Sequence, residues 1–460
     1  MFEIPHILAL LLFAGVFVIL ISGFPVVFSL AGTAVIFAGL GVLTGDFSWV
    51  LLSSIPGRIV TILVDETLVA VPLFVFMGVV LEKSKLAEDL LVTMGQLFGD
   101  LRGGLAISVV LVGALLAAST GIVGATVITM GLISLPAMTK AKYDPKLSSG
   151  VICASGTLAQ LIPPSTVLIL LGIMLQNANS QANMKLGKFG GDVVTSTDLF
   201  AAAMLPGLVL VTGFIAFVIY KAIRDPASCP AIVMTEAERN GRLRRVLVAA
   251  LPTLTLILVV LGSILTGIAT ATESAALGAL GAMLLALLKR KLTIDLLWRV
   301  SQDTLQISVM VYAILIGSTF FSLVFRGLGG EDIITDLIRQ IPGGQSGAVI
   351  FVLALMFLLG FILDTFEIIF IVVPIFAPAL FILGVDPIWL GTAMAIVLQT
   401  SYLTPPFGFA LFYLQGVAPQ LRSIDIMRGV IPFVLLQLFG VVAIWFVPEL
   451  ATWLPKVLFG

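Results

Sequence analysis

Asp364 lies inside a long apolar stretch, GFILDTFEIIFIVVPIFAP, and its carboxylate is the group in this chain best suited to binding a ligand. In apolar surroundings an ionised carboxylate costs several kcal/mol unless it pairs, is hydrated or binds a cation, and such acids usually mark the path of an ion or a substrate. Two other readings stay open: a position near water at the end of a shallow hairpin, and a buried pair with an arginine. Glu367 follows three residues later on the same stretch, and the same interpretations apply to it.

Hydroxyl groups and backbone carbonyls near Asp364 could complete an all-oxygen cage, which suits a hard cation such as Na⁺. The donors are Thr365, Thr400, Thr404 and the carbonyls that precede Pro405. A similar cage without a carboxylate is available earlier in the chain. Its donors are Ser119, Thr120 and the carbonyls from Gly156 to Ile162. The two cages predict two cation sites.

The carbonyls of the earlier cage belong to the stretch GVICASGTLAQLIPPSTVLILL, which is interrupted at Pro163-Pro164. A helix cannot keep its hydrogen-bond ladder through two prolines, because each lacks an N–H and its ring clashes with the preceding turn. We therefore expect the helix to break near the middle of a bilayer. The freed carbonyls and the hydroxyls of Thr157, Ser165 and Thr166 are tolerated there only if they line a cavity or face buried protein. The alternative is a proline kink that binds no ligand.

The proline landmarks of this stretch recur later in the chain at one constant offset. Pro163-Pro164 and Pro405-Pro406, Asp144-Pro145 and Asp386-Pro387, and Pro136 and Pro378 are each 242 positions apart. A shared offset indicates an internal duplication. Paired broken segments in the two halves of a membrane protein are the best sequence pointer to a transporter's binding site.

The composition indicates the class of protein. The chain has 460 residues, of which 60% are hydrophobic and 11% charged, and its mean hydropathy is +1.19. A soluble protein could not bury that much apolar surface, so we expect an all-α polytopic membrane protein. His6 is the only histidine, which argues against a histidine-based metal site. Phosphate-loop, nucleophile-elbow and metalloprotease motifs are absent, so an enzyme or ATP-driven pump has little support, and neither an organic cofactor nor a nucleic-acid partner is expected.

Charge placement orients two apolar stretches that must each enter the membrane and return. Residues 103–139 carry no formal charge and lie between Arg102 and Lys140, which places both ends in the cytoplasm. A re-entrant hairpin with its tip at Ser119-Thr120-Gly121 and two tight spans both fit. Residues 346–383, with Asp364-Thr365 near the midpoint, dip in from the opposite side. The two halves are therefore predicted to be inverted repeats, with two re-entrant helical hairpins, two broken transmembrane helices and a substrate site near the midplane.

Four regions follow from this reading. Residues 1–101 form N-terminal scaffold spans, the first of them retained rather than cleaved, and an amphipathic arm at 86–100. Residues 102–225 form repeat 1, including a polar outer loop at 177–198. Residues 226–300 form a basic cytoplasmic loop and linking spans, and residues 301–460 form repeat 2.

The half-helices that follow the proline pairs favour an anionic ligand. If they begin at Ser165 and Phe407, their positive dipole ends point into the cavity. The predicted substrate-binding residues are Thr157, Gln160, Pro164, Ser165 and Pro406. Arg58 and Arg326 are better explained as interfacial residues whose charges reach toward water. Glu273 is equally consistent with a gating or scaffold contact and with a role near the site.

Several longer motifs occur together and in a fixed order: GGLAISVVLVGALLAASTGIVGATVITMGLISLPAM, SGTLAQLIPPS, GIATATESAALG, GFILDTFEIIFIVVPIFAP and QTSYLTPPFGFALFYLQG. Over nearly the whole chain they resemble the DctM-like large membrane subunit of the tripartite ATP-independent periplasmic (TRAP) transporters. The resemblance implies a sodium-driven, elevator-type transporter in the bacterial inner membrane that imports a small organic acid, a carboxylate. It also implies two protein partners, a small four-span DctQ-like membrane subunit and a periplasmic DctP-like solute-binding protein.

In the family, cation sites lie at the two hairpin tips and the two broken segments. By this resemblance they correspond here to Ser119, Gly121, Pro163, Pro164, Asp364, Thr404 and Pro405. Ala159 and Ser401 stand where many members have glycine. Gln160, the insert at 177–198 and the motif QTSYLTPPFG together resemble a branch associated with 2-oxo acids, hydroxy acids and other carboxylates. A sodium–carboxylate carrier that needs no binding protein, and an anion channel, are the alternative functions.

Overall fold

The structure is a computed structural model that describes residues 4–84, 86–188, 193–232 and 242–460. The helices of the first half are α1 (Ile4–Ile21), α2 (Val26–Thr44), α3 (Ile55–Leu63), α4 (Glu66–Lys83), α5 (Leu86–Phe98), α6 (Gly104–Thr120), α7 (Val123–Lys140), α8 (Pro145–Thr157), α9 (Thr166–Lys185) and α10 (Ser196–Arg224). Those of the second half are α11 (Arg242–Leu265), α12 (Ala271–Leu288), α13 (Ile294–Gly327), α14 (Gly330–Gln340), α15 (Gly344–Leu359), α16 (Thr365–Ile382), α17 (Pro387–Leu403), α18 (Phe409–Val417), α19 (Ser423–Phe446) and α20 (Glu449–Phe459).

The length and apolarity of these helices fit a polytopic membrane protein. Within the described ranges, 7 helices can cross a membrane, or up to 9 segments if two bent helix pairs each count as one span. The seven are α2, α7, α10, α12, α13, α16 and α19. The bent pairs are Trp49–Leu63 with α4, at 51°, and α14 with α15, at 117°. The prediction of an all-helical polytopic membrane protein is confirmed at this level.

The α6–α7 pair reverses direction at Gly121. This glycine follows the end of α6 with a φ of +62°, a left-handed conformation, and α7 begins two residues later at Val123. A residue without a Cβ adopts this conformation at little cost. The two helices pack against each other and against α8. The turn predicted around Gly121 is therefore the tip of a helical hairpin.

A second reversal joins α15 to α16 through residues 360–364. Asp364 is the N-cap of α16, and its backbone N–H donates to Glu367 Oε2 at 3.1 Å. This reciprocal capping box fixes the start of the helix. The acid singled out in the sequence therefore lies at the tip of the second hairpin.

Both predicted helix breaks are present. After α8 ends, one 3₁₀ turn (Leu158–Gln160) and residues 161–165 precede α9. In the second half, residues 404–408 separate α17 from α18. The peptide bonds Pro163-Pro164 and Pro405-Pro406 are both cis. The second half-helix begins at Phe409 with Gly408 as its N-cap, slightly later than the expected Phe407.

Close helix contacts hold the broken segments in place. α9 packs along α16, and α8 packs along α19. A Cβ at Gly150 would lie 2.2 Å from the carbonyl oxygen of Gly429, so these two helices meet where neither has a side chain. α13 packs on α2 and α4, and the predicted amphipathic arm is α5, which packs on α6 and α11.

Part of the predicted loop at 177–198 is helical, which corrects that prediction. α9 continues to Lys185, and the nearly fully buried Ala178 and Ala182 give this continuation an apolar face. Residues 189–192 of the loop lie outside the described residues, as do residues 233–241 of the basic cytoplasmic loop. α20 is an additional short helix, packed against α10, that hydropathy does not indicate.

Candidate functional site

The carboxylate of Asp364 is held by two neighbours, Tyr402 and Thr365. Its Oδ1 accepts a hydrogen bond from the Tyr402 hydroxyl and another, 2.6 Å long, from the Thr365 N–H. The same N–H also donates to the Tyr402 hydroxyl oxygen at 2.8 Å. Among the described residues no arginine pairs with Asp364, whose side chain also accepts from the Glu367 N–H in the capping box. A buried arginine pair is therefore excluded within this part of the chain, and hydrogen bonds alone hold the carboxylate.

Gln160 connects the first helix break to this hairpin tip. Its side-chain Nε2 donates to Thr365 Oγ1 at 2.7 Å. Gln160 is 1% exposed, and its Oε1 is buried without a hydrogen-bond partner. An unpaired buried carbonyl oxygen is costly, so it marks a point where a bound water, ion or solute would be stabilised.

The tip of the first hairpin contacts the same break. Thr166, the first residue of α9, donates from Oγ1 to the Gly121 carbonyl oxygen at 2.9 Å. Hydrogen bonds therefore join Gly121 to Thr166, Gln160 to Thr365, and Asp364 to Tyr402. The two hairpin tips and the two breaks lie together.

A cavity of about 220 Å³ lies where these segments meet. Polar atoms on its wall come from Gln160, Asp364, Thr365, Tyr402 and Tyr413, and the wall also includes Gly121 and, from α13, Ile307 and Met310. Pockets for drug-sized ligands are larger, typically ~300–1,000 Å³. The cavity fits a small solute or an ion.

One family profile spans nearly all of this chain. Residues 13–450 match the family described as the tripartite ATP-independent periplasmic transporter, DctM component. The chain belongs to this family. It is therefore the large permease component of a TRAP transporter, a multi-pass membrane protein of a bacterial transporter family and not an enzyme.

Curated relatives align with this DctM permease over almost their full lengths. The ectoine/5-hydroxyectoine TRAP transporter large permease protein UehC of Ruegeria pomeroyi is 28% identical over 456 residues, 98% of this chain and 100% of the relative. The C4-dicarboxylate TRAP transporter large permease protein DctM of Rhodobacter capsulatus is 28% identical over 458 residues, 98% and 99% of the two chains. The sialic acid TRAP transporter large permease protein SiaM of Vibrio cholerae is 24% identical over 444 residues, 96% and 97%. The resemblance predicted from the motifs is confirmed.

Two solved transporter structures share the fold of the DctM permease. The YdaH transporter of Alcanivorax borkumensis matches with a TM-score of 0.61 and 14% identity, over 87% of this chain and 89% of that one. MtrF of Neisseria gonorrhoeae matches with a TM-score of 0.56 and 15% identity, over 86% and 83%. At these identities the likeness concerns the fold alone.

The structure places only some of the predicted site residues of this DctM permease on the cavity wall. Gly121, Gln160, Asp364 and Thr365 line it. Thr400 and Thr404 lie at and just after the end of α17, where their hydroxyls donate to the carbonyls of Ile396, at 2.6 Å, and Thr400, at 2.7 Å. Their oxygens keep lone pairs for a cation, and their predicted role stays a prediction.

Gly156 and Thr157 face neighbouring helices. A Cβ at Gly156 would lie 2.3 Å from Val127 Cγ2, so the glycine allows α8 to pack tightly on α7. Thr157 Oγ1 accepts from Gln437 Nε2 at 3.1 Å and donates to the Ala154 carbonyl at 2.9 Å. Neither residue lies on the cavity wall. The cation-binding role of Gly156 and the substrate-binding role of Thr157 therefore stay predictions.

The remaining predicted residues belong to the breaks and to the first tip. Ile162, Pro163, Pro164, Pro405 and Pro406 form the two breaks. Ser165 is the N-cap of α9, and its Oγ donates to the Gln160 carbonyl at 3.0 Å. The backbone of Ser119 and Thr120 completes α6, and their side chains lie outside the described part of the structure.

Two tyrosines on the cavity wall are missing from the predicted set. Tyr402 follows Gln160 by 242 positions, so the duplication that pairs the prolines also pairs these two residues and could have identified Tyr402. Tyr413 packs on the first hairpin, where a Cβ at Gly124 would lie 3.1 Å from its Cζ. No sequence signal indicates that contact, because it depends on how α7 and α18 pack.

The donor atoms at the cavity fit a hard cation. They are the carboxylate of Asp364, the hydroxyls of Thr365 and Tyr402 and the amide oxygen of Gln160, all of them oxygens. Across the described residues there is no group of three or more His, Cys, Asp or Glu side chains that could hold a metal ion. An oxygen-only set with a carboxylate suits Na⁺ better than a transition metal.

Proposed function

We propose that this DctM permease assembles with a DctQ-like four-span subunit and a DctP-like periplasmic binding protein into a sodium-coupled importer of a small organic acid in the bacterial inner membrane. One observation carries the proposal: a single cavity is lined by Gly121 and Asp364 from the two hairpin tips, Gln160 from the first break, and Tyr402 from the last turn of α17 before the second break. In transporters built from inverted repeats, substrate and coupling ions bind where the broken helices of the two repeats meet.

Two sodium sites are proposed, one in each half. The site in the second half uses Asp364, Thr365, Thr400, Thr404 and the carbonyls before Pro405. The site in the first half uses Ser119, Thr120, Gly121, Gly156 and the carbonyls of Ile162 and Pro163. Asp364 has no basic partner among the described residues and supports the site in the second half, since a cation there would neutralise a carboxylate at the start of a buried helix.

The organic anion is proposed to bind where the two half-helices begin. No side chain caps α9 at Ser165 or α18 at Gly408, whereas aspartates cap α8, α16 and α17. Uncapped N–H groups and the positive end of the helix dipole favour a carboxylate. The proposed substrate-binding residues are Thr157, Gln160, Pro164, Ser165 and Pro406.

The transport movement is proposed to be of the elevator type. Residues 102–225 and 301–460 would carry the cavity as one domain past a scaffold built from residues 1–101 and the linking spans of 226–300. The cross-half bond from Gln160 to Thr365 supports a common movement, because it ties the break of one half to the hairpin of the other.

The names of the relatives support a carboxylate as the substrate class. They refer to ectoine and 5-hydroxyectoine, C4-dicarboxylates and sialic acid, each of which carries a carboxylate group. The cavity of about 220 Å³ limits the bound part of such a molecule to a small group.

Proteoliposomes that contain the permease, its small subunit and its binding protein provide the test. We expect uptake to require an inward sodium gradient and the binding protein, and Asp364→Asn to reduce it at least tenfold. Asp386→Asn is the matched control, because Asp386 caps α17 away from the cavity in the same way. Sodium-independent uptake would refute the coupling. Full uptake without the binding protein would indicate the self-sufficient carrier, and unsaturable currents would indicate the channel.

A further inference from the structure

A second and larger cavity, of about 400 Å³, lies between α3, α9, α13 and α16. Arg58 of α3 and Arg326 in the last turn of α13 both reach its wall, where Asp65 is the single acid among the described residues. Hydroxyl and amide groups of α9 and α13 are spaced among the apolar side chains that form most of the remaining wall. The two arginines, which the sequence suggests are separate interfacial residues, therefore face one shared space.

The two guanidinium groups differ in how their charges are compensated. Arg326 Nε lies 2.6 Å from Glu331 Oε1. Arg58 has no acidic partner among the described residues, and its hydrogen bond to Ser54 Oγ is 3.4 Å long. The Asp65 carboxylate accepts from two backbone N–H groups at the start of α4, at 2.8 and 3.4 Å. Arg58 is thus a positive charge that faces the cavity without an ion-pair partner.

The larger cavity lies further along three of the helices that line the smaller one. α9, α13 and α16 line both cavities. On α9 the smaller cavity is lined by Val167 and the larger by Asn177; on α13 the corresponding residues are Met310 and Ser318, and on α16 they are Phe366 and Pro374. With a rise of 1.5 Å per residue, each pair is separated by about 12–15 Å along its helix. All three helices run from the smaller cavity toward the larger one. The two spaces therefore follow each other along the same three helices.

We propose that the larger cavity is an outer binding site in which Arg58 and Arg326 hold the carboxylate of the transported acid on its way to or from the smaller cavity. The proposal rests on the proposed function for the identity of the ligand. A guanidinium group matches a carboxylate with two parallel hydrogen bonds, and Arg58 has this capacity unused. Arg326, whose charge is paired with Glu331, contributes further guanidinium N–H donors on the same wall.

Thiol labelling tests the proposal without knowledge of the substrate. Ser322 is on the cavity wall, and Ser322→Cys is nearly isosteric, while the native Cys153 and Cys229 are both buried. The probes are two methanethiosulfonate reagents of similar size, an anionic sulfonate and a cationic trimethylammonium. We expect the sulfonate to react about tenfold faster, relative to the cation, than at a control cysteine introduced at the exposed Thr266.

The arginine variants identify the source of that preference. Arg58→Gln is expected to remove most of the preference for the sulfonate reagent, and Arg58→Lys to retain it. Arg299→Gln, at an exposed arginine of α13 paired with Asp295, is expected to leave the preference unchanged. An equal ratio at Ser322→Cys and at the Thr266 control, or a ratio insensitive to Arg58→Gln, would overturn the proposal. A preference that depends on acidic lipid in the vesicles would assign the cavity to a lipid headgroup instead, and would also overturn it.

Uptake kinetics separate this inference from the proposed function. Arg58→Gln should raise the KM for the acid about tenfold, with a smaller change in the maximal rate and no change in the sodium concentration for half-maximal uptake. If KM is unaffected while uptake remains sodium-dependent, the outer site fails and the proposed function stands. If uptake is independent of sodium while the labelling preference holds, the proposed sodium coupling fails and the outer site stands.

Discussion

The side-chain nitrogen of Gln160 donates a 2.7 Å hydrogen bond to the hydroxyl of Thr365, and this bond joins the helix break of one half to the hairpin tip of the other. Tyr402, which occupies the position equivalent to Gln160 in the second half, meets the backbone N–H of the same threonine. Thr365 is therefore contacted by two positions that the 242-residue offset relates to each other. These contacts agree with the duplication that the prolines predict.

Replacing Gln160 should impair transport. Gln160→Leu keeps the volume but removes both the donor to Thr365 and the buried acceptor that has no protein partner. Loss of a buried polar partner costs about 1–3 kcal/mol, so we expect uptake to fall about 5- to 150-fold. Gln306→Leu, at an exposed position of α13, is the control. Equal uptake by the two variants in proteoliposomes would show that the bond has no role in transport.

Tyr402→Phe should weaken the response to sodium. The substitution removes the hydroxyl that donates to Asp364 and leaves the Thr365 N–H with one acceptor. A less firmly held carboxylate binds a cation less well, so the sodium concentration for half-maximal uptake should rise about tenfold. Tyr413→Phe alters a tyrosine on the same wall that has no hydrogen bond to Asp364. The prediction fails if both variants give the same sodium curve as the unaltered permease.

Gly121→Ala should lower both stability and transport. A Cβ at Gly121 would lie 3.0 Å from the Thr166 nitrogen, and the φ of +62° is unfavourable for alanine. We expect a loss of stability of about 1–2 kcal/mol from the conformation, and more from the contact. Gly187→Ala is the control, since Gly187 has a φ of +67° with nothing within 4 Å of the added atom. Thermal unfolding in detergent would refute the prediction if the two variants shifted equally.

A membrane potential should drive uptake of a monoanion if two sodium ions accompany it. One net positive charge then crosses, and 100 mV, negative inside, adds about 2.3 kcal/mol to accumulation, or close to a 50-fold gradient. A dianion that crosses with two sodium ions transfers no net charge, so its uptake should not respond to the membrane potential. A potassium diffusion potential imposed with valinomycin on loaded proteoliposomes measures both cases. An equal response of monoanions and dianions would contradict the stoichiometry of two.

The breaks and the tips were predictable because proline and glycine act locally. The backbone at Pro163-Pro164 cannot stay helical whatever surrounds it, and Gly121 takes a conformation that other residues avoid. The acid at position 364 was predictable for a similar reason, since a charge in an apolar run needs a partner wherever it lies. Each of these inferences needs only the residue and its immediate neighbours.

Contacts between distant helices could not be predicted in this way. Arg58 and Arg326 share a cavity only because α3 packs on α13, and neither helix carries a pattern that specifies the other. Tyr413 reaches the site through the packing of α18 on α7. The polar composition of residues 177–185 predicts a loop, yet these residues are helical because two buried alanines give the end of α9 an apolar face. Composition is a weak guide where a few buried side chains decide the structure.

The absence of a side-chain cap at the starts of α9 and α18 has a consequence for how this permease could acquire new cargo. Every residue except proline carries a main-chain N–H, so an acid bound by these groups stays bound when the surrounding side chains mutate. Drift at those side chains would then change which acid is accepted without abolishing uptake along the way. A backbone site of this kind allows one protein lineage to change its substrate range through single substitutions that each preserve transport.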